Sequence, residues 1–420
     1  MSCEGTRSAP GSVSLRHVRV FHALPLPHAN RLAHSVRSCT SSIVAASRAS
    51  PPVQTRPHSI TLDFADAGNG SVHRCELSSV VQVGRDLWLG SDEGATLERL
   101  SPTKRRTYGH HRSFELADYI DLPDAKEEVD IEGLDYAAGY LWLVGSHSVR
   151  RKDDDPDAGT VKKRINRLRR TSRRGNRYLL ARIPVVADAD NGASFALATR
   201  ATDPNDRGRT LRAARLRGGR RRNALTDALR DDDHLAPYLE IPGKENGFDI
   251  EGLAVVGDRV FLGLRGPVLR GWAVVLAISV EDDPEDDTRL RLRPIGPKQR
   301  LYEKHFLDLF GLGVRELCAD GDDLLILAGP TMELDGRASV FRWPNAAAVR
   351  GDSLTERDVL ETVLDLPYGV GEKEGVEHPE GVAFLGDGDR GKQLVVVYDA
   401  PGKHRRRGRA GVDADVYDVR

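Results

Sequence analysis

The pentapeptide Asp-Ile-Glu-Gly-Leu occurs twice, at Asp130–Leu134 and again at Asp249–Leu253. Internal repetition constrains a fold more than local propensity does, because each copy is a unit that must bury its apolar face against its neighbours. Looser copies follow, with Arg315-Glu316-Leu317 ahead of "CADGDDLLILAG" and Pro379-Glu380-Gly381 ahead of "VAFLGDGDRGKQLVVVYD". An earlier copy, "SSVVQVGRDLWLGSDEG", carries Ser78 where the others carry glutamate. Aligned on that position, each copy reads as a short apolar run, a Gly/Asp turn, a second apolar run and, in most copies, a glycine exit. Apolar runs of strand length joined by such turns are hairpin signals.

The anchors Ser78, Glu132, Glu251, Glu316 and Glu380 are spaced at similar intervals, except that the step from Glu132 to Glu251 is roughly double the others. Units of three or four strands repeated in this way predict an all-β chain, a β-propeller with five countable blades. A sixth blade has room around "NRYLLARIPVV" and "SFALATRA", within the long step. The lone run "HSITLDFAD" (His58–Asp66) is expected to close the ring by pairing with the last blade, which would otherwise expose an edge.

Residues 1–57 differ from the rest: Glu4 is their one acidic residue, and they hold seven arginines and no lysine. That composition predicts a disordered leader. It has the look of an organellar transit peptide, and an over-long gene model accounts for it better. The propeller domain is therefore expected over residues 58–420, with a basic insertion near 150–225. No apolar stretch approaches the roughly 20 residues of a membrane helix, and the four cysteines, Cys3, Cys39, Cys75 and Cys318, form no CxxC pair. A cytoplasmic protein with reduced thiols and no membrane partner is the expectation.

The blocks "DIEGLDYAAGYLWLVGSHS", "KENGFDIEGLAVVGDRVFLGLRGPVLRGWAVVLAI", "GVRELCADGDDLLILAGPT" and "HPEGVAFL" resemble the bacterial family called domain of unknown function 3616, over about residues 70–400. That resemblance implies no activity. A shorter likeness, in the "EGLA" strand, is to the phytase-like and esterase-like propellers, and it implies acidic residues holding calcium at a channel mouth. Ser78, and Val314 where an upstream Asp is expected, depart from the pattern.

The first strand of a propeller blade lines the central channel, so equivalent glutamates converge on it. Glu132, Glu251, Glu316 and Glu380, joined by Asp130 and Asp249, are the candidate metal ligands, since like charges this close need a cation or a base among them. Oxygen donors favour calcium or magnesium, and no nucleotide or organic cofactor is indicated. The functional reading is a divalent-cation-dependent hydrolase of phosphate or other esters acting on a small anionic substrate, with Asp130 and Asp249 as further ligands or water-activating bases. The alternative is a binding or scaffold propeller whose glutamates clamp backbone N–H groups of the next blade.

Other motifs dissolve on inspection. "GDGDRGKQ" (Gly386–Gln393) lacks the Ser or Thr and the helix of a phosphate loop, and reads as a hairpin turn. "DDDPDAG" (Asp153–Gly159) misses the glycine and terminal acid of a calcium loop. The basic runs Val161–Arg177 and Gly208–Asn223 carry no interleaved aromatics, so they are expected to be solvated surface and nucleic acid is not an expected partner. "LTDALRDDDHLAPYL" predicts a short surface helix through the spacing of Leu225, Leu229 and Leu235.

Overall fold

Each copy of the repeat folds into an antiparallel sheet, and the five sheets stand around one axis. The computed structural model describes residues 57–65, 74–152, 157, 159–332, 334, 336–368, 377–386 and 392–419, all within the unit Pro51–Arg420. Apart from Pro57, the expected leader lies outside the described residues. So do most of "DDDPDAG" and the tip of "GDGDRGKQ", residues 387–391.

Blade I comprises Leu77–Val83, Asp86–Ser91, Thr96–Lys104 and Thr107–Glu115, each strand paired antiparallel with the next. Blade II begins Ile131–Ala137, Tyr140–Gly145 and Leu180–Ala187, and its outer edge is Ala214–Leu216. Blade III is Asp249–Val256, Arg259–Leu269, Trp272–Asp282 and Tyr302–Leu307. Blade IV is Gly313–Asp320, Asp323–Gly329, Ala338–Trp343 and Glu361–Leu366. Blade V is His378–Leu385, Lys392–Asp399 and Gly411–Val419, and its fourth strand is His58–Asp63 from the other end of the domain. Among the described residues the blade count is five. The segment that left room for a sixth supplies the third strand of blade II and its outer pieces.

The inner strands follow one another around the axis, and that of blade V packs against that of blade I, closing the ring. His58–Asp63 completes the closure as the repeat pattern predicts, with Ile60 opposite Ala414 and Leu62 opposite Val412. It also touches the outer strand of blade I in parallel, Thr61 beside Thr107.

Two-residue alternation in the strands explains the core. In the second strand of blade IV, Leu324 and Ile326 face blade III, while Leu325 and Leu327 face blade V. Both faces of every blade are thus buried, and the apolar side chains fall into five clusters, one per seam between blades. Leu225, Leu229 and Leu235, expected on a surface helix, are fully buried in the seam between blades II and III. The helix itself is only Ala224–Ala228, capped by Asn223.

Candidate functional site

Each inner strand begins with a β-bulge, and the bulge explains why "EGL" is repeated. The pairing steps from Ile131 to Gly133, from Ile250 to Gly252 and from Pro379 to Gly381, leaving Glu132, Glu251 and Glu380 as the extra residues. A bulge of this kind kinks the strand and re-aims the unpaired residue's side chain. The glycine that follows is needed where neighbouring strands touch: a Cβ on Gly133 would lie 2.9 Å from the Leu253 nitrogen, and one on Gly252 would lie 2.9 Å from that of Leu317.

In blade IV the same bulge falls one residue earlier than the sequence alignment expects. Pairing steps from Val314 to Glu316, so Arg315 holds the bulge position and Glu316 stands where blades II, III and V have glycine and blade I has Ser79. The ring of bulge residues is therefore Ser78, Glu132, Glu251, Arg315 and Glu380. Glu316 turns into the wall: its Oε1 accepts the backbone N–H groups of Leu253 (3.2 Å) and Leu317 (2.9 Å). It is an inter-blade clamp and does not reach the mouth. Ser78 plays a comparable part in blade I, its hydroxyl donating to the Ile131 carbonyl.

The remaining acids converge on one cavity of about 630 Å³ at the channel mouth, whose lining also holds Arg150, Arg151, Lys152, Arg177, Lys244, Arg265 and Arg315. Glu251 is held between two guanidiniums, Arg265 at 2.6 Å from Oε1 and Arg315 at 2.6 Å from Oε2. Arg315 also reaches Glu380 at 3.2 Å, and Arg177 reaches Asp130 at 2.7 Å. Asp249 lies 3.9 Å from Arg265, at the margin of an ion pair. Glu132 lines the same cavity and carries no hydrogen bond or ion pair among the described residues.

These environments push the carboxyls in opposite directions. Burial works to raise the pKa of Glu251, but Arg265 and Arg315 outweigh it and hold the group below the ordinary carboxylate value. Burial raises Glu132 well above its ordinary value, reinforced by Asp130, Glu251, Asp249 and Asp92. Burial also raises Glu380 to about 8, with Asp399 and Glu251 adding to it against Arg315. Asp249 and Asp92 are each raised to about 7, by burial first and neighbouring carboxylates next. The lining holds nine carboxyls against five arginines and two lysines, a small excess that is relieved when carboxyls take up protons or a cation.

A three-donor group stands at the blade V side. One ligand atom each from His378, Glu380 and Asp399 lies within 4.8 Å of the others. Strand pairing makes this inevitable, because His378 starts the inner strand opposite Asp399 at the end of the second. Two carboxylates and an imidazole suit a divalent cation, and the nitrogen donor widens the choice beyond calcium and magnesium toward the first-row metals. Of the six ligands expected from sequence, Glu380 alone belongs to this group. Glu132, Asp130, Asp249 and Glu251 share the cavity, the last two with arginine neighbours and Asp130 tied to Arg177.

Sequence reasoning missed Arg177, Arg265, Arg315 and Asp399. Arg265 and Asp399 had a signal, each being a charged residue that directly follows an apolar run within its strand. Arg177 had none, since it lies in a basic run and is brought in by the 3₁₀ turn Gly175–Tyr178.

Fold and site together define a class: a five-bladed β-propeller with a carboxylate- and arginine-lined channel mouth. The chain belongs to the family described as Protein of unknown function (DUF3616), whose profile matches residues 76–415. No curated protein matches it. Among solved structures it is similar to glutaminyl cyclase of Myxococcus xanthus, at 10% identity over 86% of this chain and 97% of that one, with a TM-score of 0.37. It is similar also to a xylan β-1,4-xylosidase from Bacillus halodurans C-125 (12% identity, 83% of this chain and 54% of that one, TM-score 0.38). A third is the PQQ-bound aldose sugar dehydrogenase of Streptomyces coelicolor (12% identity, 86% and 99%, TM-score 0.34). Likenesses this distant say nothing about chemistry, and the blade assignment rests on the strand pairing. Among the described residues no helix is long and apolar enough to cross a membrane, and Cys75 and Cys318 are free thiols.

Proposed function

We propose that the mouth is the active site of a divalent-cation-dependent hydrolase acting on small anionic esters, phosphate esters foremost. The observation that carries this reading is the convergence, in one cavity, of the three-donor group His378, Glu380 and Asp399 with the guanidiniums of Arg177, Arg265 and Arg315. A bound cation would supply Lewis-acid polarisation of the ester and a more acidic water. His378, Glu380 and Asp399 would hold it. The arginines orient an anionic substrate, and Glu251, by fixing Arg265 and Arg315, sets the positions of two of them. Glu132, which has no hydrogen-bond or ion-pair partner among the described residues, is the group available to take the proton from the attacking water once deprotonated, with Asp130 and Asp249 beside it in the cavity.

A second reading, a non-enzymatic binding or scaffold propeller, is favoured by one observation: Glu316 bonds backbone of the adjoining blade and Glu251 ties blade III to Arg315 of blade IV. Turnover of p-nitrophenyl phosphate and its diester by the full chain, with calcium, magnesium or manganese and with chelator, separates the two. The hydrolase reading expects cation-dependent turnover that Asp399→Asn reduces by about 10- to 100-fold. Silence with every cation and both esters favours the scaffold.

A further inference from the structure

The helix Val161–Leu168 is mounted inside out. An amphipathic surface helix normally turns its apolar stripe to the core. Here Val161, Ile165 and Leu168 fall in a stripe about 60° wide by the 3.6-residue turn, yet they are 68, 57 and 44% exposed. Arg164 and Arg167, by contrast, are half-buried toward the body; Arg164 and the exposed Lys162 flank the stripe on its two sides, while the exposed Lys163 falls on the opposite side of the helix. The segment is not a loose loop. Arg150 and Arg151 pair with Ser172 and Thr171 beneath it, and the Lys152 N–H bonds the Arg170 carbonyl at 3.0 Å. Leu168 and Arg151 also line the channel mouth, so the helix stands on its rim.

We propose that this helix docks the mouth of the propeller onto an anionic lipid surface. Residues 162–174 contain eight Lys or Arg and no acid. A basic polar side flanking an apolar stripe matches a bilayer surface, with anionic headgroups at one depth and hydrocarbon just below. A second copy of the chain does not fit, since a symmetric contact would set two basic helices together. Nucleic acid offers charge but nothing for Val161, Ile165 and Leu168 to bury against, and the sequence expectation of plain solvated surface leaves the stripe without a reason. The inference does not depend on the chemistry of the mouth.

Sedimentation of the full chain with phosphatidylcholine vesicles, and with vesicles containing about one third phosphatidylglycerol, tests it. The expected result is binding to the anionic vesicles, weakened about tenfold or more by loss of the anionic lipid, by high salt, and by either Ile165→Asp or the pair Lys162→Glu and Lys163→Glu. All three side chains are exposed, so thermal midpoints should match the parent and confirm that the variants fold. Ile165→Trp should show a blue-shifted emission on adding anionic vesicles. Equal binding by the parent and Ile165→Asp, or no binding at low salt, overturns the proposal. Binding to soluble polyglutamate but not to vesicles overturns it in favour of an acidic protein partner.

Discussion

Arg315 of blade IV occupies the bulge position that Glu251 occupies in blade III, and the two side chains meet at 2.6 Å. The ring of equivalent positions is therefore not a ring of like charges. It is built with one cation among the acids, and that cation locks its neighbour. Arg265 closes on the same carboxylate from within blade III.

Replacing Glu251 with Gln should leave two buried guanidiniums facing a neutral amide. Breaking one side of a buried charge network costs about 3–5 kcal/mol, so the variant should melt well below the parent whether or not a divalent ion is present. The folded pKa of Glu251 lies below its ordinary value, so this stabilisation is present above the unfolded pKa and is lost as pH falls through the folded one. The gap between parent and variant in chemical denaturation should accordingly narrow in acid.

Glu316 gives the opposite pH behaviour. Its carboxyl is pushed well above the ordinary value, chiefly by burial, so its contribution is full below the unfolded pKa and declines as pH rises. Glu316→Ala should cost about 1–3 kcal/mol by leaving the N–H groups of Leu253 and Leu317 unsatisfied. Glu316→Gln keeps the accepting oxygen, and its penalty should be smaller, shrinking further at alkaline pH. Equal losses for Ala and Gln would contradict the clamp.

The alignment error at this position shows what was legible. The repeat, the hairpins and the closing strand could be read because Gly/Asp turns and two-residue alternation are local signals. The bulge register could not, because "GVRELC" contains both an arginine and a glutamate, and only the pairing of Val314 with Ala328 and Glu316 with Leu327 decides which is extra. A glutamate invited alignment with glutamates. Likewise, Arg177 reaches Asp130 across the fold from a run that reads locally as solvated surface, so tertiary placement alone makes it part of the mouth.

The closing strand makes a separate test. Ile60 and Leu62 are buried in the seam between blades V and I, and each full burial is worth about 1.5–3 kcal/mol. A chain beginning after Asp63 should lose roughly 10 °C or more in thermal midpoint, or fail to unfold cooperatively. A chain beginning at His58 should melt like the full chain. A large loss from that shorter cut would place residues 1–57 within the fold.

The central proposal is that His378, Glu380 and Asp399 hold a divalent cation at the carboxylate-rich mouth. Glu380 at about 8, and Asp249 and Asp92 at about 7, are raised above their unfolded values. The folded chain without cation should therefore be most stable in mild acid and lose stability as pH rises toward 8. A divalent ion competes with those protons, so it should restore stability at pH near 8 and do little near 5. The most direct measurement is the thermal midpoint of the full chain at both pH values, with calcium, magnesium, manganese or chelator, for the parent and Asp399→Asn. The account predicts a concentration-dependent rise with at least one cation at the higher pH, absent from Asp399→Asn. A midpoint indifferent to every cation and to chelator in both proteins would contradict it.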